Sequence, residues 1–192
     1  DAGLGHLKGL TGLRELRLRN SSFANPSITG RALKHAAGLP QLRSLALSFA
    51  EVEDQDLEHL KGLRNLEELN LSWTSVSDRG MEHLRGLTNL RTLNLNMTAV
   101  TDDGLKHLKG MKNLRHLELG LFTLGLWGGG PPTLRKITDR GLEHLKELRQ
   151  LQEVNVAGTE VTLAGAQELQ KALPKVKVLR EWPVGLGGPD AW

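Results

Sequence analysis

The feature that most constrains this chain is that it repeats itself. TDDGLKHLKGMKNLRHLEL, read from Thr101, has close relatives up and down the sequence. They are SDRGMEHLRGLTNLRTLNLNMTAV from Ser77, EDQDLEHLKGLRNLEELNLSWTSV from Glu53 and TDRGLEHLKELRQLQEVNVAGTEV from Thr138. The shared form is T-D-x-G-L-x-H-L-x-G-L-x-N-L-x-x-L-x-L-x-x-T-x-V, 24 residues long. Leu42, Leu66, Leu90 and Leu114 are spaced at 24, whereas Leu13 to Leu42 is 29 and Leu114 to Leu151 is 37, insertions of five and thirteen. A unit this short cannot bury its apolar face alone, so the array must stack into a solenoid with one continuous core.

Each unit mixes two periods. Leu105, Leu108 and Met111 fall three apart, the buried stripe of a short helix, and Leu117 and Leu119 then alternate with Glu118 as a strand buried on one face would. Ser77, Thr101, Thr138 and Thr162 sit at N-cap positions, with Asp78, Asp102 and Asp139 in the first turn behind three of them. Gly9, Gly38, Gly62, Gly86 and Gly110 fall where each helix must stop and are expected to act as C′ glycines. The pattern predicts seven helical segments and six strands, with a short seventh strand near Val176–Leu179.

These residues resemble the leucine-rich repeat family. LxxLxLxxT at Leu66–Thr74 and Leu90–Thr98 matches its signature, and the T-D-x-G-L form is similar to a bacterial-type 24-residue subclass. The ending LQKALPKVKV (Leu169–Val178) resembles the way such arrays close. The resemblance implies an α/β leucine-rich repeat solenoid, with parallel strands on the concave side and short helices on the convex side. It also implies binding without catalysis. The expected organisation is one repeat domain over residues 1–182, with insertions near 20–28 and 120–136 and an irregular tail at 183–192. Asp1-Ala2-Gly3-Leu4 matches the middle of T-D-x-G-L, so the chain is expected to be a fragment that starts inside a repeat. Its first repeat should then expose Leu4, Leu7 and Leu10 or associate with another copy.

Composition narrows the function classes. Forty leucines dominate, and the absence of cysteine excludes disulfides, thiolate metal sites and thiol catalysis. No apolar run approaches the ~20 residues of a membrane span. The formal charge is +3, acids interleave with bases and aromatics are 4%, so nucleic acid is not the expected partner.

Equivalent positions form columns, and a site should appear as a column or as a break in one. His6, His35, His59, His83, His107 and His144 share one position, read as rings packed between neighbouring repeats. Helices ~8–10 Å apart would bring too few of them to one metal ion. Lys8, Lys61, Arg85, Lys109 and Lys146, with Arg14, Arg43, Arg91 and Arg115, read as helix-end and solubilising cations. The expected concave face is polar and includes Asn70, Asn94, His116 and Glu118. His116 beside Glu118 has no nucleophile column or oxyanion device with it, so an enzyme is not expected.

The position after each strand is the most informative. It reads Phe49, Trp73, Met97 and Leu121 in consecutive repeats, and the thirteen-residue insertion, which carries Phe122 and Trp127, begins at the end of that stripe. The expected function is therefore non-catalytic recognition of a protein or peptide through the concave face and the adjacent stripe, with no cofactor. The alternatives are a structural spacer within a larger protein, with the stripe packed internally, and a glycan or small-ligand site.

Overall fold

In the computed structural model, residues 2–20, 28–121 and 137–181 are described. Residues 21–27, 122–136 and those from 182 onward lie outside the described residues. So do Phe122 and Trp127 of the expected stripe, together with what the expectations say of the insertions and the tail.

Seven three-residue strands lie side by side in chain order, all parallel. They are β1 (Glu15–Arg17), β2 (Ser44–Ala46), β3 (Glu68–Asn70), β4 (Thr92–Asn94), β5 (His116–Glu118), β6 (Glu153–Asn155) and β7 (Lys177–Leu179). Their central residues stack in register: Leu16, Leu45, Leu69, Leu93, Leu117, Val154 and Val178. Six of these seven are buried and Val178 is partly so; with Leu42, Leu66, Leu90 and Leu114 they form the apolar spine that the 24-residue period required. The expected seventh strand is β7, and the seven expected helical segments are present. They comprise Ala2–Leu7, Ala32–Ala36, Asp54–Leu60, Asp78–Leu84, Asp102–Leu105 continuing as Lys106–Gly110, Asp139–Glu143 and Leu163–Ala172. Three of these stretches are 3-10 helix, a tighter winding that suits runs too short to stabilise an α-helix.

What locks one repeat to the next is a bracket built from the T-D-x-G-L motif. Each Asp reaches forward to the Ser or Thr that opens the next helix and accepts both its amide and its hydroxyl proton. Asp78 takes Thr101 at 2.7 and 2.6 Å, and Asp54 takes Ser77 at 2.6 and 2.5 Å. Asp139 takes Thr162 at 2.8 and 2.7 Å. Asp102 takes Thr138 at 2.8 and 2.6 Å, although 36 residues separate them, so the long insertion leaves the bracket intact. The first-turn position expected for these acids is correct, but their partners are the caps of the following unit. The motif's glycine follows from the same geometry: a Cβ on Gly80, Gly104, Gly141 or Gly165 would lie 2.0–2.6 Å from the bracketing carboxylate oxygen.

A second ladder runs along the N-L column. Asn65, Asn89 and Asn113 donate their side-chain amides to the carbonyls of Pro40, Arg64 and Thr88, each in the preceding repeat. One local expectation is overturned. Of the glycines expected at C′, only Gly9 has a left-handed backbone, at φ +109°; Gly38, Gly62, Gly86 and Gly110 do not. Their helices end in three-residue hydrogen-bonded turns instead, such as Leu63 N–H to Leu60 O and Leu87 N–H to Leu84 O, which need no left-handed residue.

Candidate recognition surface

Strand pairing continues past the three-residue ladders and carries the stripe with it. The amide of Phe49 donates to Ser72 O, Trp73 to Asn96 O, Met97 to Gly120 O and Leu121 to Ala157 O, at 2.7–3.2 Å. These four residues therefore rise at the ~4.8 Å interval of adjacent strands, as their sequence spacing predicts. Their backbone is what the sequence did not disclose. Phe49, Trp73 and Met97 are left-handed, at φ 61°, 60° and 58°, and they are the three non-glycine residues with positive φ among those described. An L-residue pays about 1–2 kcal/mol for that conformation, and bulky residues are rarely found in it. The sixth repeat has Gly158 here, at φ +78°, where a Cβ would meet Leu121 O at 2.2 Å.

The side chains of Phe49, Trp73 and Met97 are half-buried, and Leu121 is buried. The Phe49 and Trp73 rings stack with centroids 5.3 Å apart and planes 13° from parallel. The Arg19 guanidinium covers the outer end of the stack, 5.1 Å from the Phe49 centroid. The sequence pattern did not assign Arg19 to the stripe. The signal was there: it directly precedes Asn20, the stripe position of the first repeat.

Beside the stripe, the concave face holds a depression of about 670 Å³. Asn70, Asn94, His116 and Glu118 all line it, so the structure brings the four polar candidates together; the stripe residues are not part of its lining. Glu68 and Glu153 line it as well. This polar surface is not uniformly solvated: Asn94 of the lining is buried, as are Ser72, Asn96 and Asn155 nearby. The cause is local. Asn70, Asn94 and Asn155 each fold their side-chain oxygen back onto the amide two residues on, at 2.9 Å, and so turn the chain out of its strand.

Glu118 occupies the centre of this network. Its Oε2 accepts from Asn155 Nδ2 at 2.9 Å and from Asn96 Nδ2 at 3.3 Å. Burial pushes its carboxyl above the usual carboxylate range, and neighbouring Glu153 adds to this. The two amide donors and nearby His116 pull the other way. No lysine or arginine among the described residues lies within ion-pair distance of Glu118, whereas Glu153 has Lys177 at 3.3 Å.

The expected packing of histidine rings between repeats holds for only part of that column. His107 Nδ1 accepts from Arg85 Nε at 2.7 Å, and its pKa is lowered by partial burial and by that guanidinium. His35 packs against Gly5 of the preceding repeat, while His6 and His144 are exposed. No group of three or more potential metal ligands occurs among the described residues. Glu67 sits between Arg43 at 2.7 Å and Arg91 at 3.4 Å, so part of the basic column is neutralised in place. No described helix is long and apolar enough to cross a membrane.

Comparison with known proteins places this geometry. Residues 62–84 and 86–109 match the family model described as Leucine Rich repeat. No curated protein shows significant sequence similarity to the chain. Among solved structures, internalin C2 of Listeria monocytogenes superposes with a TM-score of 0.58 at 23% identity, over 90% of this chain and 64% of that one. A leucine-rich-repeat protein of Leptospira interrogans gives 0.56 at 20% identity, over 88% of this chain and 37% of that one. The chain thus spans less than two thirds of either. Two of its units carry the Leucine Rich repeat pattern as the family model defines it, and the chain has the fold of a leucine-rich-repeat solenoid.

Proposed function

We propose that this chain is a non-catalytic recognition module that binds a protein or peptide segment. The segment lies along the concave depression, with its apolar residues against the Phe49–Trp73–Met97 stripe. The observation that carries this reading is the run of three large apolar residues held left-handed in consecutive repeats. Glycine or asparagine would occupy that backbone with less strain, and Gly158 does so one repeat beyond Leu121. Local strain of this kind concentrates at sites of function. Here it presents an aromatic pair and a methionine in one row, the residue types most used as binding anchors. Leucine-rich repeats generally serve protein recognition, which agrees with this use of the surface.

The test is selection of a random-sequence peptide library on the folded chain, followed by measurement of the binders on Trp73→Ala. A hot-spot tryptophan is worth about 2 kcal/mol or more, so the variant should bind roughly thirtyfold more weakly at a nearly unchanged melting temperature. Binders that retain full affinity while the variant loses several degrees of thermal stability would assign the stripe to internal packing and remove it from the site.

A further inference from the structure

The concave depression is not electrically uniform. At the β1 end Arg17 is engaged by Glu15, whereas Glu68 of β3 lies midway and Glu118 and Glu153 line the far end. Glu68 accepts from Ser44 Oγ at 2.9 Å and is exposed to solvent, and Glu153 faces Lys177 at 3.3 Å. Glu118 is different: a half-buried carboxylate whose hydrogen-bond donors among the described residues are neutral amides. Such a group lacks the counter-charge that burial normally demands.

A second, independent observation lies in the adjacent strand. Asn94 pairs directly with Glu118 in the β4–β5 register and is only 3% exposed. Its Oδ1 is committed to the Asn96 amide, which fixes the orientation of the side-chain amide. The Nδ2 of Asn94 has no hydrogen-bond partner among the described residues. A buried amide donor left unmet costs free energy that a ligand acceptor would return. The equivalent nitrogen of Asn155, one strand beyond Glu118, is satisfied by that carboxylate.

We infer that the depression takes a peptide carrying an arginine or lysine, whose cationic head pairs with Glu118 while a peptide carbonyl accepts from Asn94 Nδ2. This rests on the recognition reading above and specifies the chemistry of the partner. A guanidinium fits best, because it can bond to Glu118 while its planar face lies along Asn94 and Thr92 of the adjacent strand.

The test uses peptides selected from the same library. Basic residues should be enriched among them, and replacing the key arginine by neutral, isosteric citrulline should weaken binding about tenfold or more, or ~1.4 kcal/mol. Glu118→Gln keeps an oxygen acceptor for Asn96 and Asn155 and should weaken the arginine peptide equally. Against that variant the citrulline replacement should have no further effect. Glu15→Gln, at the opposite end, should leave affinity unchanged. In a 15N–1H spectrum the Asn94 side-chain amide should shift on binding. Binders that compete for the stripe yet carry no basic residue, or that ignore citrulline, would overturn the inference and leave the recognition reading standing. A library with no binder at this face would remove both.

Discussion

The Asp bracket makes a quantitative claim that a double-mutant cycle at Asp102 and Gly141 can test. Gly141 lies in the helical segment Asp139–Glu143, where Gly→Ala ordinarily stabilises by about 1 kcal/mol through helix propensity. Here the new Cβ would sit 2.4 Å from Asp102 Oδ1 and 3.2 Å from its Cγ. The carboxylate must withdraw, and its bonds to the Thr138 amide and hydroxyl at 2.8 and 2.6 Å are lost. Hydrogen bonds to a charged acceptor contribute about 1.5–3 kcal/mol each when buried. These are partly buried, so about 3 kcal/mol for the pair is reasonable. Asp102→Ala should therefore cost about 3 kcal/mol, and Gly141→Ala about 2 after the propensity gain. With the carboxylate already gone, the alanine at 141 meets only the flexible end of Leu105, at 3.0 Å. The double variant should then cost about 2 kcal/mol, less than Asp102→Ala alone and far from additive. Urea unfolding measures all four corners, and the melting temperature should follow by about 2–4 °C per kcal/mol in a chain of this size. Additive costs, or a stabilised Gly141→Ala in the wild-type background, would refute the claim that the motif's glycine exists to admit the preceding aspartate.

Three further outcomes follow from the same structure. At position 73, glycine should be more stable than alanine by about 1 kcal/mol, because alanine keeps a left-handed strain that glycine does not have; equal urea midpoints would show that residue 73 is not left-handed. Glu118 is raised in the fold, so its ionisation disfavours the native state as pH rises from the ordinary glutamate range through the raised value. Glu118→Gln should accordingly melt higher than wild type at pH 7, with a gap that narrows toward pH 4; a gap that widens on acidification would contradict the sign. In the first repeat Leu10 is 51% exposed and Leu4, Leu7 and Leu13 are only half-buried, against 0% for Leu84, Leu87 and Leu90. Amides of residues 2–18 should therefore exchange with deuterium faster than those of 78–110, and uniform protection in a demonstrated monomer would be the contrary result.

The sequence by itself determined the period, the strands and helical segments within each unit, the capping hydroxyls of Thr101, Thr138 and Thr162 (Ser77 holds the N-cap position but its hydroxyl makes no cap bond), and the row of large residues from Phe49 to Leu121. All of these are consequences of spacing along one chain: a leucine that must face the core recurs at the interval its backbone imposes. Tertiary structure decided what depends on a neighbour 24 or 36 residues away. Asp102 in isolation reads as a first-turn acid, and only the stacked next repeat reveals that it holds Thr138 and requires Gly141. Asn94 reads as a solvated strand residue until its own turn and the adjacent strands bury it. The left-handed backbone at Phe49, Trp73 and Met97 contradicts the preference of those side chains, so no local pattern announces it. At Trp73 and Met97 it accompanies a turn in which the Thr74 and Thr98 hydroxyls bond the carbonyls of Leu71 and Leu95 at 2.7 Å, and after Phe49 the Ala50 amide bonds Leu47 O at 3.1 Å. That turn holds a bulky left-handed residue in three consecutive repeats but not at Leu121, and it is at those three positions that propensity and structure disagree.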